Sequence, residues 1–355
     1  MGKARYKMKE NPISFQLKLR PDDFLKATEE EKQSLVVMRE SVSFWKDGAR
    51  RLMKNKVAVA SILVIFIIMI FSFIVPSFYP YSYKEQVKGA NNLKPMEYSA
   101  KEQEAIEAGE KVFPHIFGTD KLGRDYAIRV MMGSRISLLV GLIATVIILI
   151  IGSAYGSIAA YFGGWTDIVM MRIVDIIYTV PDILLIVLLS FALKAPLQSL
   201  TTIAGFGWVR TVGENLISIF IVFALLYWVG MARMVRSQVL MLKESEYVTA
   251  ARALGVSNGK IIRKHLLTNC IGTLIVTTTL QIPSSIFTES FLSFLGLGVA
   301  KPLPSLGSLA SEAINGLNTY PHLLFIPALL ISLIILSFNL LGDGLRDAFD
   351  PKLKN

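Results

Sequence analysis

The stretch Val57-Ala-Val-Ala-Ser61-Ile-Leu-Val-Ile65-Phe-Ile-Ile-Met-Ile70-Phe-Ser-Phe-Ile-Val75 runs for 19 residues without a charge and stops at Pro76. The hydrocarbon core of a bilayer takes about 20 apolar residues in helical form, so this block predicts a membrane span. Five further apolar blocks follow: Ile136–Phe162, Ile173–Leu193 (which contains Asp175 and Asp182), the short Leu216–Ala232, Leu266–Thr288 (continuing past Glu289 toward Leu297) and Pro321–Gly342. Helices are the expected form, because lipid offers no partner to a free backbone N–H or C=O and the blocks are too long for barrel strands. The expected fold class is therefore all-α integral membrane, with six transmembrane helices.

Composition points the same way. Apolar residues make up 53% of the 355-residue chain and charged residues only 18%, too oily for a soluble globule of this size. The net charge of +10 raises nucleic acid as a partner, but membrane proteins concentrate Lys and Arg in cytosolic loops, and no nucleic-acid partner is expected. With Cys270 as the one cysteine, no internal disulfide can form, and an inert thiol is expected. The first apolar block lies behind a long charged tail, so no secretory signal is read.

The distribution of basic residues sets the expected orientation. Residues 1–56 carry 14 basic and 8 acidic residues, and 233–264 carry 7 and 2, whereas 194–214 and 299–320 together hold three basic residues. Both chain ends are then expected in the cytosol. The corresponding divisions are a cytosolic tail over 1–56, a first span over 57–79, an extracytoplasmic segment over 80–134, a permease core over 135–342 with a cytosolic loop at 236–268, and a cytosolic tail over 343–355. Within the first tail, Met38, Val42, Trp45, Ala49 and Leu52 are spaced 4, 3, 4 and 3, which predicts an amphipathic helix over about 31–55. It could lie on the inner membrane face or pack against protein. Residues 1–30 show no periodicity. In the polar outer segment, Ser99–Lys111 reads as a short helix closed by Gly109 and Pro114.

The loop Glu246-Tyr-Val-Thr-Ala-Ala-Arg-Ala-Leu-Gly255-Val-Ser-Asn-Gly-Lys260-Ile-Ile-Arg-Lys-His-Leu-Leu-Thr-Asn269 is the most informative connection. Good helix formers fill its first part, Gly255 fits the left-handed residue after a helix and Ser257 fits the N-cap of the next. The expected layout is helix, tight turn, helix. Val248, Ala251 and Leu254 or Val256 give an apolar side for lipid or for a groove on a partner. Arg263, Lys264 and His265 read as interfacial anchors.

This loop resembles the EAA coupling motif of ABC-type importer permeases, with Glu246 at the acidic position and Ala250, Ala251 and Gly255 at the core. Other stretches are similar to signatures of peptide-importer permeases in the same order. These are His115-Ile-Phe-Gly-Thr-Asp-Lys-Leu-Gly-Arg-Asp125 with Gly133-Ser-Arg-Ile-Ser-Leu138, then Glu289-Ser-Phe-Leu-Ser-Phe-Leu-Gly-Leu-Gly298, then Phe338-Asn-Leu-Leu-Gly-Asp-Gly-Leu-Arg-Asp347 with Asp350-Pro351. The resemblance runs from about Arg50 to Leu353 and is nearest to the C-type subunit of dipeptide and oligopeptide transporters. It implies the type I ABC importer permease architecture in a bacterial plasma membrane. It also implies a sister permease sharing the path, two cytosolic ATPases driving it through Glu246, Ala250, Ala251, Gly255 and Ser257, and an external binding protein that delivers peptide. Nucleotide and magnesium would sit on the ATPases and no cofactor on this chain. In keeping with this, no Gly-x-x-x-x-Gly-Lys-Ser/Thr phosphate loop is present. The chain departs from the family at Thr268 (usually Pro), Leu306 (often Trp) and Asp182 (usually small and neutral), and its N-terminal tail is long. Without a Pro at 268, the second loop helix can run on into the span.

Four ionisable positions invite a reading. Arg172 and Asp175 are three apart on one helix face and predict a structural ion pair. Asp182 falls deep in the third block and should face the bundle interior or water, where it could touch a peptide amine. Glu289 could bond a neighbouring helix or line the path. The stretch Gly118–Asp125, with Asp120, Gly123 and Arg124, reads as a folded turn whose carboxylates take up backbone N–H groups or Arg124, with docking of the binding protein as the other reading. His115, His265 and His322 are too dispersed for a zinc site. The rival functions are a nickel importer permease of the same superfamily and a stand-alone secondary transporter, which would call for inverted repeats. No enzyme constellation is recognisable.

Overall fold

The computed structural model describes residues 43–200, 213–299 and 301–349, apart from the side chain of Asp182. The expectations for residues 1–30, and the Met38 and Val42 part of the predicted stripe, lie outside them. The described residues hold helices and no named strand. Six helices are long and apolar enough to cross a membrane.

Helix α1 (Phe44–Lys54) leads into α2, the apolar span Lys56–Ser77. The side chain of Asn55 caps α2 by accepting from the N–H groups of Val57 and Ala58 at 3.0 and 3.2 Å. A segment over 78–125 follows, containing α3 (Ala100–Glu107). Helix α4 (Tyr126–Phe162) runs for 37 residues, starting at the Asp125 cap and ending at Gly163. Helices α5 (Gly164–Thr179) and α6 (Asp182–Leu200) come next, then α7 over Glu214–Leu242. The loop carries α8 (Glu246–Ala253) and α9 over 258–269. Helix α10 (Ile271–Phe294), the short α11 (Leu306–Ala313) and α12 (His322–Phe349) complete the chain.

Three spans depart from the sequence expectation, each for an identifiable reason. The block Ile173–Leu193 is two helices, because the chain turns extended at Val180, the residue before Pro181, where α geometry is disfavoured. The span is instead the apolar helix Ile183–Leu200. Helix α4 begins ten residues ahead of Ile136 despite Arg129 and Arg135. The Arg135 guanidinium donates to the carbonyls of Ser72 and Phe73 at 2.9 and 3.1 Å. Pro76 has no N–H to offer the Ser72 carbonyl four residues back, so Arg135 takes up an acceptor that α2 itself leaves open. Helix α7 runs past Ala232 because Arg233 and Arg236 both meet carboxylates of α5.

Close backbone approach organises the bundle, as expected where small residues replace a hydrophobic driving force. A Cβ on Gly156 would come within 2.3 Å of the Ala232 carbonyl, and one on Gly141 within 2.4 Å of Ile286, so α4 lies tight against both α7 and α10. At α1, Gly48 abuts the ring of Phe349 and Trp45 meets the same ring edge-on at 6.1 Å. Of the two readings of this helix, the described part packs against protein along its Gly48 side.

Candidate functional site

The loop between α7 and α10 is a preformed module. Helix α8 ends at Ala253, Gly255 takes φ +73°, and the Val256 N–H closes the turn on the Ala251 carbonyl at 3.1 Å. This is the glycine-dependent helix stop expected from the sequence. Ser257 stands at the N-cap position of α9 without a side-chain cap bond. Helix α9 runs to Asn269 with only Cys270 before α10, which fits the absence of a Pro at 268. The apolar side predicted for the loop divides in two. Val248 and Ala251 are 0% and 7% exposed and join a core with Tyr161, Ile261 and Leu266, whereas Leu254 is 84% exposed. Helix α8 has already ended at Ala253, so Leu254 leaves the face that its i+3 spacing suggested.

Three contacts tie the module to the nearby end of α4. The Tyr161 hydroxyl donates to Asn258 Oδ1 at 2.8 Å, Lys243 Nζ donates to the Ala160 carbonyl at 3.1 Å, and the Arg252 guanidinium lies 5.0 Å over the Tyr161 ring. The exposed residues include Glu246, Ala250, Leu254, Gly255 and Ser257, with Tyr247, Thr249, Arg252 and Ala253 beside them, and Leu254 is the most exposed large apolar side chain of the module.

At the other end of α4, the segment over 78–125 folds around charge. Asp120 accepts from the N–H groups of Leu122 and Arg124 at 2.8 and 3.0 Å and from Arg124 Nε and Arg129 Nη1 at 2.7 and 2.5 Å. Arg129 also reaches Glu312 at 2.9 Å. Burial alone would raise the Glu312 pKa, but Arg129 and Lys301 bring it below the ordinary carboxylate value. Gly118 and Gly123 have φ +74° and +70°, and a Cβ on either would strike a carbonyl, of Leu93 at 2.2 Å or of Val87 at 2.4 Å.

His115 is fully buried here, a partner that sequence reading had set aside. Its Nδ1 meets Asp125 Oδ2 at 2.7 Å and its Nε2 meets Glu102 Oε1 at 3.1 Å, while Tyr81 stacks on the ring at 4.6 Å. Burial alone would lower its pKa, but the hydrogen bonds and charges of Asp125 and Glu102 raise it above 6.5. The bonds to two carboxylates favour the imidazolium, so the contribution to stability is full below pH 6.5 and is lost as pH rises through the folded-state value. Protease resistance of the 78–125 segment should therefore fall between neutral and alkaline pH in the native chain. In His115→Ala that pH step should vanish, with a loss of roughly 3–5 kcal/mol as two buried carboxylates lose their partner. An unchanged step in the variant would refute the assignment.

The remaining predicted residues are distributed differently from expectation. Asp175 bonds Arg233 of α7 at 2.8 Å and does not pair with Arg172, because the helix break at Pro181 lets α5 lie beside the end of α7. Its neighbour Asp167 makes the stronger, two-pronged contact with Arg236, at 2.6 and 2.5 Å. Asp182 opens α6 and is not deep in a continuous span. Glu289 is fully buried and accepts from Ser137 of α4 at 2.7 Å and from Ser293 at 2.6 Å. Ser137 in turn accepts from the Leu306 N–H at 3.3 Å. Glu289 thus ties α4, α10 and α11 together and presents no open surface.

A bundle of six apolar helices with a rigid, partly exposed loop module has the form of a membrane transport subunit. The chain belongs to the family described as binding-protein-dependent transport system inner membrane component, which matches residues 152–355. Residues 43–95 match the N-terminal TM domain of oligopeptide transport permease C. The chain is 39% identical over 318 residues to the oligopeptide transport system permease protein OppC of Bacillus subtilis, covering 90% of this chain and 93% of that protein. It is 40% identical over 336 residues to the dipeptide transport system permease protein DppC of the same organism, covering 94% of each. The glutathione transport system permease protein GsiD of Pectobacterium atrosepticum is 33% identical, covering 88% of this chain and 92% of that protein. The chain is a multi-pass inner-membrane protein.

Proposed function

We propose that this chain is the membrane-spanning permease subunit of an ATP-driven peptide importer. It forms the translocation path with a sister permease, receives peptide from an external binding protein on the 78–125 side, and is driven by two ATPases at the 246–267 loop. Both chain ends and the loop then face the cytosol, in line with the basic residues of 1–56 and 233–264. ATP and magnesium bind the ATPases, and this chain contributes no catalytic group. The observation that carries the reading is the loop itself. Val248 and Ala251 are committed to the chain's own core, while Leu254, at 84% exposure, is left for a partner, and burying it would contribute about 1.5–3 kcal/mol. Peptide as substrate rests on the relatives named oligopeptide and dipeptide permeases.

The test is reconstitution of the chain with its sister, ATPases and binding protein in vesicles. ATP-dependent uptake of labelled peptide, and none of labelled nickel, is the expected result. Nickel uptake without peptide uptake would replace the substrate assignment, and uptake by this chain alone on an ion gradient would overturn the whole reading.

A further inference from the structure

Helices α5, α6, α7 and α10 border a half-open cavity of about 210 Å³. Its wall includes Tyr178, Tyr227, Gly230, Gln281 and Ser284. Gln281 and Ser284 lie near the middle of α10, whereas Gly230 stands three residues before Arg233 in α7, so the cavity runs from mid-span toward the end of α7 that carries its arginines. Three of these side chains are chemically unfinished. The Tyr178 hydroxyl, the Gln281 amide and the Ser284 hydroxyl have no hydrogen-bond partner among the described residues, and Tyr178 and Ser284 are exposed on the isolated chain. An unmet hydrogen-bonding group at this depth is costly against lipid, so the wall is built for water or for a polar ligand.

The backbone around the cavity is shaped to open it. Helix α7 makes a π-type turn over Phe223–Tyr227, a departure frequent at functional sites, and this turn ends at Tyr227, whose hydroxyl bonds Thr288 Oγ1 at 2.8 Å. The break before Pro181 supplies the opposite wall through Val180. A Cβ placed on Gly230 would meet nothing within 4 Å, so this glycine, unlike Gly152 and Gly156, is not a packing glycine. Thr277, Gln281, Ser284 and Thr288 are spaced 4, 3 and 4, one polar face on α10, the least apolar of the six spans.

We infer that this cavity is this chain's half of a water-filled peptide chamber, and that Tyr178, Gln281 and Ser284 bind the peptide main chain without regard to side-chain charge. The inference rests on the peptide-importer reading above. Tyrosine, glutamine and serine each both donate and accept, which matches the amide N–H and C=O of an extended peptide. The wall residues carry no charge. The cation Arg233, which lies 4.4 Å over the Tyr178 ring, is paired with Asp175. A passage lined this way holds acidic, basic and neutral peptides alike and leaves discrimination among them to another component.

The test uses the assembled transporter carrying Cys270→Ala, with Ser284→Cys and Gly230→Trp introduced separately. Ser284→Cys should react with a charged, water-soluble thiosulfonate, and transported peptide should slow that reaction several-fold. Gly230→Trp should assemble and hydrolyse ATP but lose uptake by at least about tenfold, since the indole fills the cavity. Gln281→Leu should lower uptake of acidic, basic and neutral peptides by one common factor. Reaction of Ser284→Cys with an apolar maleimide alone would place the face against lipid, and no reaction with either reagent would place it against the sister subunit; each outcome overturns the chamber. A Gln281→Leu effect confined to one charge class would overturn charge indifference. If the unmodified transporter moves no peptide, the substrate reading fails on its own, and the thiosulfonate reaction still decides whether the cavity is open to water.

Discussion

Gly255→Asp should abolish uptake while the chain inserts and folds as before. A Cβ on Gly255 meets nothing within the chain, so no internal clash threatens the fold. The backbone cost is modest: φ is +73°, and aspartate tolerates the left-handed region better than most residues, where the ordinary penalty is about 1–2 kcal/mol. The damage falls on docking. The new carboxylate stands beside Leu254, the large apolar side chain offered to a partner, and a charge buried there without a counter-ion costs several kcal/mol. At about 1.4 kcal/mol per tenfold, affinity for the driving subunit should drop at least a hundredfold. Gly255→Asn separates the two effects, since it keeps the backbone preference without the charge and should retain much of the uptake. Co-purification of the ATPases and peptide uptake in vesicles are the measurements. Full uptake by the aspartate variant would remove the loop from the coupling path.

The second large effect is on the fold. In Gly156→Val the new Cβ would lie 2.3 Å from the Ala232 carbonyl oxygen and 3.0 Å from its carbon. Both atoms are helix backbone, so relief requires separating α4 from α7 along their whole contact. Overpacking ordinarily costs about 1–3 kcal/mol, and a rigid backbone obstacle sets the expectation at the top of that range or above. Purified Gly156→Val should be aggregated or absent on size-exclusion chromatography, while Gly230→Ala, which adds a methyl group to open space, elutes as the native chain. A monodisperse, thermally unshifted Gly156→Val would show that the α4–α7 contact is looser than its geometry indicates.

Much of this was legible in the residues. Long apolar runs marked six spans, one of them displaced and crossed by Asp175 and Asp182, and Gly255 with Ser257 marked the helix–turn–helix of the loop, because those signals are local. What was not legible depended on partners far away in sequence. Nothing near Arg135 announces that Pro76 has freed a carbonyl for it, so the start of α4 was read ten residues late. Pro181 is visible, but an apolar run on both sides hid the break it causes, and with it the pairing of Asp175 with Arg233 in place of Arg172. Leu254 and Val256 were alternatives for the third member of the loop's apolar side; the helix ends one residue before Leu254, which is left exposed, and Val256 packs on the core with Val248 and Ala251. The chamber residues escaped notice because Tyr178, Gln281 and Ser284 carry no charge, and their significance lies in having no partner.

Helix α4 is held at both ends by specific bonds. Tyr161 and Ala160 grip the loop module, and 32 residues earlier Arg129 is clamped by Asp120 and Glu312. At 1.5 Å per residue the helix is about 55 Å long, and no proline interrupts it. It is a stiff rod with riveted ends, and such a rod transmits displacement instead of absorbing it. Any tilt imposed where the loop is gripped must reappear beside the 78–125 segment, in the opposite sense if the rod pivots where Gly141 and Gly156 wedge it against its neighbours. With such a pivot, drawing one end inward would swing the other out.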